Sequence, residues 1–132
     1  MYLKFLNAEQ KELALDLLIY GMKADNEAQE KEKTLIQQYC DEMGITFRIE
    51  PKMASVEKVM SALYESSTKQ DLKKIFIEVL FLLMLDDVNE EEQKFAQKIC
   101  AEFHLTEQEY QGIYRADTHL LRSYELLAEA VQ

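Results

Sequence analysis

Apolar residues recur along the chain at the three-and-four spacing of helices. Leu13, Leu17, Ile19 and Tyr20 form one row, Val56, Val59, Met60 and Leu63 a second, and Ile113, Leu120, Leu121, Tyr124 and Leu127 a third. Polar start signals punctuate these rows. Asn7, Thr68, Asn89 and Thr106 each stand three residues ahead of an acid or amide (Gln10, Asp71, Glu92, Glu109). There the first side chain can accept from a free backbone N–H while the second reaches back to the cap. Ser55, before Val56 and Glu57, offers a simpler cap. The pattern predicts about seven helices, over 8–24, 30–43, 55–66, 69–86, 90–104, 107–116 and 118–130. Gly44 ends the second, where a residue at positive φ is favoured. Thr46 to Met53 is the one clear loop, because Pro51 and the lack of a second strand argue against a sheet around Phe47 and Ile49. From Ile75 to Leu85 the fourth helix is apolar nearly all round and belongs in the middle of a bundle. The expected fold is an all-α bundle in a single domain, 1–132.

Composition narrows the function classes. The chain of 132 residues is 48% hydrophobic and 30% charged, the balance of a globular protein with its own core. Its 25 acids against 15 bases leave a formal charge of −10, which repels phosphate backbones and anionic membrane surfaces. Nucleic-acid binding is therefore not expected. The Ile75–Leu85 run carries Glu78 and falls far short of the ~20 residues a membrane span requires. Met1 to Leu6 is short and runs at once into polar residues, unlike a signal peptide, so a cytoplasmic location is expected. Cys40 and Cys100 lie in apolar helical stripes, lack metal-ligand spacing and read as packed, reduced thiols.

The chain also repeats itself. Setting Cys40 against Cys100 aligns Leu35–Thr46 with Phe95–Thr106, with Glu32 on Glu92, Gln37 on Gln97 and Gly44 on His104. Upstream, Asp16 falls on Glu78, Met22 on Met84 and Asp25 on Asp87, with the first turn two residues longer. Each copy, about 8–46 and 69–106, is an apolar helix, an acidic turn and an amphipathic helix. Helices over about 107–130 are added at the C-terminus. Two such hairpins can pack about a pseudo-twofold axis. In these features, and in Ala24–Glu32 and Leu85–Glu92 in particular, the sequence resembles the tellurite-resistance TerB-like family. It departs where that family commonly has Gly after the Asp: Asn26 stands there in the first copy and Asp87 or Val88 in the second. The resemblance implies a non-enzymatic protein of stress response or metal-linked sensing. It also implies a divalent cation, Ca²⁺ or similar, on Asp25, Glu32, Asp86, Asp87 and Glu92.

Convergent carboxylates suit a hard cation. The same acids are favoured as caps and as partners of the helix dipole with no metal, and on the residues alone that reading is the stronger. An EF-hand is excluded, since twelve residues from Asp25 end at Ile36 and from Asp87 at Lys98, with no Gly at the sixth place. Glu78, alone in an apolar helix, must find a partner, stay neutral or bind something; it is either internally paired or a support holding the acidic turns from behind. Catalysis is not expected. His104 and His119 form no ligand pair, and no phosphate loop, nucleophile elbow or HExxH motif occurs. Tyr110, Tyr114 and Tyr124, with Leu120 and Leu121, either close over the fourth helix or form a surface for a protein partner. The alternative function is thus a metal-independent interaction module recruiting a basic partner.

Overall fold

The computed structural model describes residues 1–24, 29–85 and 89–132. Among them lie six α-helices and no strand: α1 (Ala8–Met22), α2 (Glu30–Met43), α3 (Val56–Ser66), α4 (Lys69–Leu83), α5 (Glu90–Glu102) and α6 (Glu107–Ala130). A 3₁₀ turn, Leu3–Phe5, precedes them and packs on α2 and α4. The expected capping boxes at Asn7/Gln10, Thr68/Asp71, Asn89/Glu92 and Thr106/Glu109 are all present, and the Ser55 hydroxyl accepts from Lys58 N–H at 3.2 Å.

The expectation of seven helices is corrected in one place. Residues 107–116 and 118–130 form one continuous rod of 24 residues. Neither Gly nor Pro stands between Ile113 and Gln132, and the Thr118 hydroxyl returns to the Tyr114 carbonyl at 2.8 Å, so nothing breaks the ladder. Asp117, at the expected break, is 1% exposed.

Two helices share the centre. On α4, Leu72, Ile75, Phe76, Val79, Leu80, Leu82 and Leu83 are buried, as its apolar circumference predicts. α1 is buried nearly as completely, from Leu13 through Met22. It packs on α2, α3 and α4, while α5 and α6 both pack on α4. At Gly21 α1 lies close against both α4 and α5: a Cβ there would come within 3.3 Å of the Phe95 ring and 3.6 Å of Leu83. Burying a side chain the size of Phe76 or Leu15 contributes about 1.5–3 kcal/mol, so this paired core dominates the stability.

The loop after α2 is fastened by one buried acid. Asp16 of α1, 1% exposed, accepts from the Arg48 guanidinium at 2.5 Å and from the backbone N–H groups of Lys52 and Met53 at 2.9 and 3.0 Å. Arg48 also reaches the Glu12 carbonyl and carboxylate, both at 3.1 Å. The Tyr20 hydroxyl donates to the Met53 carbonyl at 2.8 Å. At the opposite end, the buried Gln10 amide donates to the Ser66 carbonyl, the Ser67 hydroxyl and Asp71, tying the start of α1 to the α3–α4 junction.

The two amphipathic helices end alike. Gly44 follows α2 at φ 70° and His104 follows α5 at φ 54°; Ile45 N–H returns to the Cys40 carbonyl at 3.0 Å, and Leu105 N–H to the Cys100 carbonyl at 2.9 Å. These are the six-to-one bonds of a left-handed helix end, and they fall at aligned positions of the internal repeat.

Candidate functional site

The carboxylates expected at the acidic turns divide between described and undescribed residues. Asp25, Asp86 and Asp87 lie outside the described residues. Glu32 and Glu92 are described, at 4% and 3% exposure, in the first turns of α2 and α5. Their carboxylates accept the backbone N–H of Gln29 at 3.1 Å and of Asn89 at 3.2 Å, at the positive ends of the two helices. Among the described residues, no group of three or more His, Cys, Asp or Glu is placed to hold a metal ion.

Glu78 stands elsewhere. With Glu42 and Asp117 it lines a cavity of about 390 Å³ bounded by α2, α4, α6 and the N-terminal segment. Neither Glu32 nor Glu92 lines that cavity. The local reasons are plain. The i+4 register of α4 brings Glu78 between Ile77 and Phe81, and on α6 Asp117 falls four residues after Ile113 and three before Leu120, on the row that faces the core. Tyr39 of α2 closes the inner wall, 5% exposed, its hydroxyl donating to the Glu78 carbonyl at 3.3 Å. Burial, with Glu78 beside it, pushes the Tyr39 phenol well up. At the rim, the Met1 ammonium donates to Glu42 and lies 3.5 Å from Glu78 Oε1. Lys4 N–H donates to the other Glu42 oxygen at 3.1 Å.

Asp117 is the unsatisfied member. Its Oδ2 is buried and has no hydrogen-bond partner among the described residues. Burial first, and then the charge of Glu78, push its carboxyl up to about 8. At neutral pH it therefore holds its proton, unlike an ordinary carboxylate. The sequence offered a signal for Asp117, since it shares the apolar row of Ile113, Leu120 and Tyr124, but the expected helix break hid that register.

The cavity opens toward apolar surface. A second depression of about 360 Å³ adjoins it and shares Leu35, Gln38, Phe81 and Tyr124. Together they make a groove between α2 and α6, floored by α4. The tyrosines expected to face a partner behave differently from one another. Tyr110 is half-buried, its ring 6.0 Å from Phe76. Tyr114 is 41% exposed, and Tyr124, whose ring meets Phe81 edge-on at 6.0 Å, is 52% exposed. Beyond the groove the apolar row runs on through Leu127 at 62% and Val131 at 84% exposure.

The thiols are inert by environment. Cys40 is buried and Cys100 half-buried, and burial raises both, Cys100 to about 11. No helix among the described residues is long and apolar enough to cross a membrane. Comparison with known proteins finds no match among family models, curated proteins or solved structures.

Proposed function

We propose that the protein is a non-enzymatic binding module of TerB-like type, which docks a basic, amphipathic helix of a protein partner in the groove between α2 and α6. The observation that carries this reading is the open apolar row of α6. Leu120 and Leu121 are half-buried at the groove, and Tyr124, whose ring edges onto Phe81, leads on to Leu127 and Val131, which are exposed. A continuous exposed apolar row on a folded chain marks an interaction surface more often than chance exposure. The formal charge of −10 selects the sign of the partner, and Glu125 and Glu129 flank the row itself. The TerB-like part of the reading rests on the sequence resemblance of Ala24–Glu32 and Leu85–Glu92.

The test is fluorescence anisotropy with two labelled amphipathic peptides of identical apolar face, one Lys-rich and one Glu-rich. The Lys-rich peptide binds, more weakly at high salt, and Leu127→Ala weakens it about tenfold. Equal binding of both peptides, or of neither, overturns the proposal.

A divalent cation at the acidic turns is the second reading. It is supported by the paired placement of Glu32 and Glu92, each buried at the first turn of the corresponding helix. Chelator-stripped protein melted with Ca²⁺, Mg²⁺ or Mn²⁺ tests it. A ligand at 100 times its dissociation constant adds about 2.7 kcal/mol, and the Asp25→Asn/Asp87→Asn double variant loses that gain.

A further inference from the structure

We propose that the Glu78–Asp117 cavity is a binding site for a primary ammonium group carried on an apolar stem. This deepens the docking reading and rests on it only for the source of the ammonium, a lysine side chain of the partner. Three observations point to this chemistry. Among the described residues, Glu42, Glu78 and Asp117 line the cavity with no lysine or arginine beside them, the Met1 ammonium at the rim being the one cation in its lining. Asp117 is 1% exposed and its Oδ2 lacks a partner among the described residues, an unfavourable arrangement that a donor would relieve. Apart from Gln38 and the Met1 ammonium, the remaining walls are apolar or aromatic, with Phe81, Leu120 and Tyr124 leading from the acids to the groove. That combination fits a cation on a hydrocarbon stem, whose methylenes pack while the head meets carboxylate oxygens. The Met1 ammonium at the rim, donating to Glu42 and 3.5 Å from Glu78, shows an ammonium fitting the outer acids while leaving Asp117 unanswered.

Metal is the competing occupant of any acidic cavity, and here the geometry disfavours it, because these three carboxylates do not converge as a ligand set. A primary ammonium needs no such convergence, since its three N–H donors diverge toward separate acceptors.

Binding carries a proton signature. The titratable groups that line the cavity with Asp117 are Tyr39 and Glu42 from α2, Glu78 from α4, Tyr124 from α6, and Tyr2 with the Met1 ammonium from the N-terminal segment. With its carboxyl raised to about 8, Asp117 is neutral at pH 6 and must release its proton as the ammonium arrives. Affinity should then rise nearly tenfold per pH unit below neutrality.

The experiment is titration of the full chain with n-butylammonium by calorimetry and by NMR of the Asp117 carboxyl, at pH 5.5, 6.5 and 7.5. Expected are saturable binding, a proton released per ligand, and affinity approaching a hundredfold higher at pH 7.5 than at 5.5. Asp117→Asn, which mimics the neutral acid and keeps the fold, removes the pH dependence and weakens binding at least tenfold; Glu78→Gln weakens it similarly. Two arms separate the source of the ammonium from the site. A Lys-bearing peptide that loses affinity with Asp117→Asn supports a protein source, while butylammonium binding without peptide binding retains the site and discards the docking reading. Equal binding of n-butylammonium and n-butanol, unchanged binding in Asp117→Asn, or Ca²⁺ bound more tightly than the amine would overturn the proposal.

Discussion

Asp16 and Glu78 occupy aligned positions of the repeat, and the molecule treats them in opposite ways. Asp16 is closed: the Arg48 guanidinium and the Lys52 and Met53 N–H groups fill both of its oxygens, and the 45–53 loop is held by it. Glu78 is open. It shares its surroundings with a second acid, Asp117, whose Oδ2 has no partner among the described residues, and beside them lies a cavity. Burying a carboxylate is costly in either place. The first copy offsets that cost with its own donors and gains a fixed loop. The second leaves part of it standing, in the raised carboxyl and the unpartnered Oδ2 of Asp117.

Breaking the closed acid should have the largest effect. Asp16→Ala leaves the Arg48 charge without its buried partner and frees the loop. The expected loss is about 3–5 kcal/mol, read from the midpoint of denaturant unfolding. A loss under about 1 kcal/mol would mean that the two acids are not opposites after all.

Asp117, the acid that shares the surroundings of Glu78, should respond with the other sign. Asp117 titrates near 8 when folded and near an ordinary Asp value when unfolded, so the folded chain holds a proton that the unfolded chain releases between those limits. That contribution to stability is fully present below about pH 4 and is lost as pH rises toward 8. Asp117→Asn cannot titrate. It should raise stability at pH 7.5 by about 1–3 kcal/mol and by progressively less as the pH falls toward 4, measured by melts across that range.

The helix ends extend the comparison at smaller scale. Gly44 takes φ 70° without strain, so Gly44→Ala should cost about 1 kcal/mol. His104 takes φ 54° with a side chain and a ring contact to Tyr64 at 4.7 Å. Relief of strain and loss of that contact oppose each other, and His104→Gly should gain about 0.5 kcal/mol net. Smallest of all, Leu127→Ala should leave stability within about 0.5 kcal/mol while weakening the basic peptide, which separates surface from scaffold.

The helical fold was legible because its signals are local. Each cap at Asn7, Thr68, Asn89 and Thr106 needs only a residue and its neighbour three positions on, and the apolar girth of α4 is visible within one window. The partnership of α1 with α4 at the centre was less so, because Asp16 and Gly21 read as interruptions until Arg48 and Phe95 are brought to them across 32 and 74 positions. Glu78 stood out as a lone acid in an apolar run. Asp117 did not, since its meaning depends on α6 continuing through it and on Glu78 lying opposite. Long-range pairing of two acids leaves no mark at either position alone.

The length of α6 has a kinetic consequence. From Arg122 to its end the helix buries no residue, so its last turns are sustained by propagation from the anchored half and by pairs such as Arg122 with Glu125 at 3.2 Å. Short helical stretches without tertiary support are marginal in water. Amide hydrogens there should exchange through local opening, orders of magnitude faster than those around Ile113. If a helix docks in the groove, exchange along these last turns should slow; if a small amine alone fills the pocket below, it should stay fast, so the rate would tell the two apart.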